Sequence, residues 1–241
     1  DNAATTPIAP EVIEAMIPVL KDGFGNPSSS HSFGRKIRAL IETSRRSIAK
    51  HLNCQSSEII FTSGGTEADN MALYSAINKM GVTHIITSTI EHHAVGHTAE
   101  SLTDTKNINV SYVKIDNKGN VDLEDLEKLL QTNEKTLVSL MHANNEISTL
   151  LPIKKVSTLC RKYDALHHCD TVQTMGHFPH NVQDIGVDFI VGSAHKLHGP
   201  KGVGFIYVNG DRKIDPLMHG GAQERGMRGG SSREENREEE E

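Results

Sequence analysis

The sequence predicts an α/β fold, a mostly parallel seven-stranded sheet between helices. Helical and strand-like apolar periodicity alternate almost from end to end. The strand-like runs are short and rich in β-branched residues, and most of them lead into polar or glycine-bearing turns. A sheet assembled this way is covered on both faces and takes its ligand at the carboxyl ends of its strands.

Pro10 opens a helix over 10–20 that Gly23 closes, and 31–52 reads as a long basic-faced helix with Ile37, Leu40, Ile41 and Ile48 on its apolar side. A strand follows at 58–62, a helix at 66–79, a strand at 84–88 and a helix at 93–102. Strands at 109–115 and 136–142 flank a helix at 123–130, and a helix at 153–163 precedes a strand at 165–169. The last strands are 189–192 and 204–208. No internal repeat is present.

The composition narrows the function. The chain has 241 residues, long enough to bury a core without disulfide staples. With 25 Lys+Arg against 31 Asp+Glu there is no basic surface of the kind that neutralises phosphates, which argues against nucleic acid as a partner. Residues 231–241 carry six Glu and two Arg, −4 of the net −6, and are expected to form a disordered acidic tail or to be non-native sequence. Cys54, Cys160 and Cys169 are too irregularly spaced for a disulfide framework or a thiolate zinc site, so a reducing, cytoplasmic compartment is expected. No apolar run reaches the ~20 residues a bilayer requires, so no membrane partner is expected.

The turns after the strands hold the chemistry. Ser63-Gly64-Gly65-Thr66 lies between a strand and a helix, where backbone N–H groups hold an anion; it is equally a tight turn with Thr66 as helix cap. It has neither the lysine of a Walker loop nor the GxGxxG spacing. Lys196 follows a buried run, with Ser193 and His195 beside it and a constrained loop, His198-Gly199-Pro200-Lys201-Gly202, behind it. That placement suits an amine kept partly dry for Schiff-base chemistry, although most lysines are simply surface groups. Asp170 ends a strand, where it can hold a ring nitrogen protonated or cap a turn, and Gln173 follows it. His92 can lie on a flat ring and move protons, or serve as a structural hydrogen-bonder. The fourteen histidines raise a metal-dependent hydrolase as a distant alternative. His93 and His97 share a helix face, but no HExxH-type set completes a metal shell and no metal is expected.

Read together, DNAATTP, FGNPSSSH, IIFTSGGTEADN, EHHAV, MHANNEIS, HCDTVQT, SAHKLHGPKGVG and GGAQERGMRGG stand in one order over residues 1 to about 230. In that order they resemble the cysteine desulfurases, pyridoxal-phosphate enzymes of the class V aminotransferase group and the aspartate aminotransferase fold type. The resemblance implies that residues 1–230 are the large, cofactor-binding domain and that the family's small C-terminal domain is absent. It implies pyridoxal 5'-phosphate joined covalently to Lys196, with His92 over the ring and Asp170 at the ring nitrogen. Asn145 and Gln173 would lie near the ring hydroxyl, and Gly65, Thr66, Ser193 and His195 would hold the phosphate. Ser231 stands where the family has a threonine that reaches the partner subunit's phosphate. Segments 2–6 and 26–31 are similar to the family's substrate-side loops.

The implied reaction converts L-cysteine to L-alanine and passes sulfur to an enzyme cysteine, then to an acceptor or iron-sulfur scaffold protein, in a homodimer. The family's sulfur-accepting cysteine lies in the part that is absent, and none of Cys54, Cys160 and Cys169 matches its position. Selenocysteine lyase, another class V lyase, and a non-catalytic scaffold that binds the cofactor remain as alternatives.

Overall fold

A computed structural model describes residues 1–229 of the chain, apart from 133, 213 and 222. The acidic segment 231–241, and with it Ser231, lies outside the described residues. The sheet is built from β1 (Ile59–Thr62), β2 (His84–Thr87), β3 (Asn109–Tyr112), β4 (Thr136–Ser139), β5 (Leu166–Asp170), β6 (Phe189–Ser193) and β7 (Gly204–Val208). Their order is β1-β7-β6-β5-β4-β2-β3. All neighbours are parallel except β7, which runs antiparallel to both β1 and β6. Two reversals restore direction, so β1 and β6 end on the same edge as β2, β4 and β5.

The helices are α1 (Pro10–Asp22), α2 (Ser32–Leu52), α3 (Gly65–Asn78), α4 (His93–Lys106), α5 (Leu123–Leu130), α6 (Ile153–Lys162) and α7 (Val182–Ile185). Their ends follow side-chain chemistry. Asp122 accepts from the N–H groups of Glu124 and Asp125 at the start of α5, and Asn53 takes the left-handed conformation that closes α2. The single turn α7, capped by Asn181, is too short to leave a periodic signal and was not expected.

Alternate residues of each strand feed two cores. Ile59, Ile86, Val138, Cys169 and Ile190 pack with Leu126 of α5 and with Val156 and Cys160 of α6. Ile60, Ile85, Leu137, Leu166 and Val191 pack with Met71 of α3 and with Val95 and Leu102 of α4. The same alternation sends His167 to Ser157 of α6 at 2.7 Å and His168 to the opposite face, where Ser139 lies 2.8 Å away.

Two expected strands are shorter than their apolar runs. The run at 109–115 stops pairing at Tyr112, and that at 136–142 stops at Ser139. Beyond Ser139 the chain still donates to β5, from Leu140 to the His168 carbonyl and from His142 to the Asp170 carbonyl. On its other side β2 has ended at Thr87, so no strand faces Met141 there.

Candidate active site

The turns at the shared edge enclose a cleft of about 190 Å³. Gly65, Thr66, His92, Asn145, Asp170, Gln173, Ser193, His195 and Lys196 all line it, joined by Ala4, Asp69, Met141 and Val172. Every candidate within the described residues thus meets at one place.

Gly64 occupies the cap position of α3 and Thr66 is the second residue of the helix, so Thr66 is not the cap. The amides of Gly65, Thr66 and Glu67 lie in the first turn, where no intrahelical acceptor exists, at the positive end of the helix dipole. A Cβ on Gly65 would come within 2.8 Å of Val172, so glycine is what lets this turn close on the β5 turn. Glu67 accepts from the Ser63 amide at 2.7 Å and from Arg228 at 2.9 Å, which ties the turn to the 223–229 segment. Burial works against the charged form of Glu67, but the bonds from Arg228 and Ser63 hold its carboxyl below the usual range.

Asp170 is 5% exposed at the end of β5, and its Oδ1 accepts from the Val172 amide at 2.8 Å. Burial, with Asp69 adding repulsion, pushes its carboxyl up to about 7. Asp69 lies beneath it, 1% exposed, with Oδ1 facing His168 Nε2 at 3.3 Å. Burial drives Asp69 well above the carboxylate range and His168 down to about 4, so burial favours the uncharged form of each. Sequence reasoning missed Asp69, although an acid among Ala68, Met71 and Ala72 on the apolar face of a helix is a readable sign.

The Lys196 amine donates to the Ala3 carbonyl, and Gln173 donates to the same oxygen at 3.0 Å. Burial lowers the Lys196 pKa, with Asp170 opposing. The N-terminal segment is held against this turn by Thr6, whose amide and hydroxyl both donate to the His195 carbonyl, at 2.8 and 3.0 Å. His92 caps α4: its Nδ1 accepts from the Ala94 amide at 3.1 Å, which leaves Nε2 as the proton-bearing nitrogen of the neutral ring.

His93 and His97 stack on each other at 4.8 Å, and among the described residues no three of His, Cys, Asp and Glu gather as a metal shell. None of the three cysteines lines the cleft. Cys160 and Cys169 are buried, and burial raises both thiols; burial also pushes Cys54 up to about 12.

These residues fit pyridoxal phosphate. First-turn amides and the Ser193 hydroxyl offer an anion cradle, Lys196 is a half-buried amine, and Asp170 is a buried carboxyl that a protonated ring nitrogen would neutralise.

The comparisons agree. Cysteine desulfurase IscS of Dictyoglomus turgidum is 50% identical over 234 residues, 96% of this chain and 59% of that protein. A solved structure described as a NifS-like protein superposes with a TM-score of 0.92 at 42% identity, covering 96% of this chain and 64% of that one. Another, described as SspA in complex with cysteine, gives 0.91 at 36% identity over 96% and 67%. The chain therefore spans about three fifths of the curated relative's length. The family model named aminotransferase class-V matches residues 1–236, and the chain belongs to that pyridoxal-phosphate-dependent family.

Proposed function

We propose that this chain carries the cofactor half of a cysteine desulfurase, acting on L-cysteine and releasing L-alanine while sulfur passes to a thiol. The observation that carries the reading is the meeting of Lys196, Asp170 and the α3 first turn around one cleft, in a chain half identical to a named cysteine desulfurase. When bound, the cofactor supplies a pyridinium ring that takes up the electrons left on a substrate carbon.

The residues of the chain do the rest. Asp170 would pair with the ring nitrogen and hold it protonated, the ring's positive charge offsetting the burial that pushes the free carboxyl up to about 7. Gly65, Thr66, Ser193 and His195 would hold the phosphate, Ser231 would serve the partner subunit's, and Asn145 and Gln173 would orient the ring hydroxyl. Lys196, its pKa lowered by burial, takes a proton from the substrate α-carbon. His92 would lie over the ring and would donate from Nε2, because Nδ1 is engaged by the Ala94 amide. None of the three cysteines is placed to receive sulfur, so the acceptor thiol is a different group.

On the same reading residues 1–230 form the large domain, the active form is a homodimer in the cytoplasm, and the sulfur goes to an acceptor protein for iron-sulfur clusters or another sulfur-containing cofactor. The three free thiols suit a reducing compartment, and no helix among the described residues is long and apolar enough to cross a membrane.

Pyridoxal phosphate added to the purified chain is expected to give a visible absorption band that Lys196→Ala abolishes; identical spectra for both proteins would sink the reading. With cysteine and an added small thiol, alanine should accumulate. A second reading, a cofactor-binding scaffold without turnover, is favoured by the absence of a cysteine among the residues lining the cleft. It predicts the absorption band with no alanine.

A further inference from the structure

Glu91 precedes His92 yet has no part in the chemistry above. Its carboxylate is enclosed between the ends of β2 and β4. Oε1 accepts from the Ser88 hydroxyl at 2.6 Å, and Oε2 accepts from the Met141 amide at 2.8 Å. Leu140 and His142 donate toward β5, so the Met141 amide points the other way, to where β2 would lie if it continued. Glu91 supplies there the acceptor that a longer β2 would have supplied from its backbone. A second tie runs beside it: Asn144 Nδ2 donates to the Ile90 carbonyl at 2.7 Å, while Asn144 Oδ1 accepts from the amides of Glu146 and Ile147 at 2.7 and 3.0 Å. His92 and Asn145 are the next residues along from these two ties, and both line the cleft.

We propose that Glu91 is a positioning residue, whose carboxyl group fastens the 88–92 turn to the end of β4 and so fixes where His92 and Asn145 stand around a bound cofactor. The effect on binding rests on the cofactor reading above, whereas the bonding does not. Burial pushes this carboxyl up to about 8, the Ser88 bond opposing and Asp170 adding repulsion. An amide is therefore a close substitute. Glutamine keeps an acceptor for Met141 and turns its NH2 group to Ser88, whose oxygen can accept; alanine removes the Glu91 bonds to both Ser88 and Met141.

Hydrogen exchange on the full chain without cofactor tests the tie. The Met141 amide should exchange about tenfold faster in Glu91→Ala and close to wild type in Glu91→Gln, while amides of β5 and β6 keep their protection. In the same proteins the dissociation constant for pyridoxal phosphate should rise about tenfold in Glu91→Ala and recover in Glu91→Gln. Unchanged Met141 exchange in Glu91→Ala overturns the tie, and faster exchange with unchanged affinity overturns the positioning role. Equal losses in Glu91→Ala and Glu91→Gln overturn it too, because that pattern is a general packing defect. If wild type binds no pyridoxal phosphate, the cofactor reading fails separately. Glu91 is then judged by the His92 imidazole resonance, which must move in Glu91→Ala for the proposal to stand. Should Glu91→Ala not fold, Glu91→Leu, which fills the same space without an acceptor, takes its place in both measurements with the same criteria.

Discussion

Asp170 is a buried carboxyl group that takes a hydrogen bond from Val172 and makes no direct ion pair with a Lys or Arg among the described residues. Burial raises its folded-state value to about 7, above the ~3.9 of an unfolded chain. Folding without cofactor therefore takes up a proton in that window. The group's folding penalty is absent below about pH 4 and grows as pH rises through 7. Asp170→Asn keeps an oxygen for the Val172 amide and removes the charge. At pH 8 it is expected to stabilise the cofactor-free chain by about 1–3 kcal/mol, raising Tm by about 2–4 °C per kcal/mol, with the gain shrinking toward pH 5. The same variant should bind pyridoxal phosphate more weakly. Thermal melts across pH beside a cofactor titration check both, and a melting temperature that falls at pH 8 would contradict this account.

At the scale of elements, the exposed flank of β1 is managed by side chains from far away. Arg45 of α2, 1% exposed, grips Glu224 through two bonds of 2.6 and 2.8 Å and also donates to the Ile59 carbonyl at 2.7 Å. Glu224 accepts from the Phe61 amide at 3.1 Å, and the guanidinium lies 4.7 Å over the Phe61 ring. An edge strand that would otherwise offer bare backbone groups is thereby satisfied. Glu224→Ala leaves a buried guanidinium with only Glu42, 3.0 Å from its Nε, as a carboxylate partner, and is expected to cost about 3 kcal/mol. The double change Arg45→Met with Glu224→Leu should cost much less. Denaturant midpoints of the single and double variants measure the difference, and equal losses would refute it.

These elements also show what sequence could and could not convey. The order of strands and helices was legible because each leaves its own periodicity, and the cleft residues were legible because they sit in turns just after strands. The Arg45–Glu224 pair was not, since its members are 179 positions apart and neither carries a local sign of its partner. Strand ends were overestimated at 142 because Leu140 and Met141 remain apolar and bonded after β2 has turned away. Asp69 was overlooked for a different reason: most acids on a helix are solvated, and only its apolar neighbours Ala68, Met71 and Ala72 mark this one as buried.

For the whole molecule, α1 stands apart. It has no buried residue, and Ile13, Ile17 and Leu20 are exposed along it, with Phe24 just beyond. It therefore contributes little to the stability of this chain taken alone, and its apolar face suits the subunit contact of the proposed homodimer. Ile17→Glu with Leu20→Glu should leave the melting temperature nearly unchanged, within about 0.5 kcal/mol, while lowering self-association in sedimentation experiments. A large loss of stability would mean that α1 is packed in the isolated chain.

The contact between Ala3 and Lys196 joins residues 193 positions apart, and that between Ala3 and Gln173 spans 170. During synthesis the segment around Ala3 leaves the ribosome long before anything exists for it to bind. At ordinary rates of about 5–20 residues per second the wait is on the order of 10–40 s. One wall of the cleft is thus a part made early and fitted late, and a nascent chain cannot capture its ligand until β6 and the turn after it have emerged.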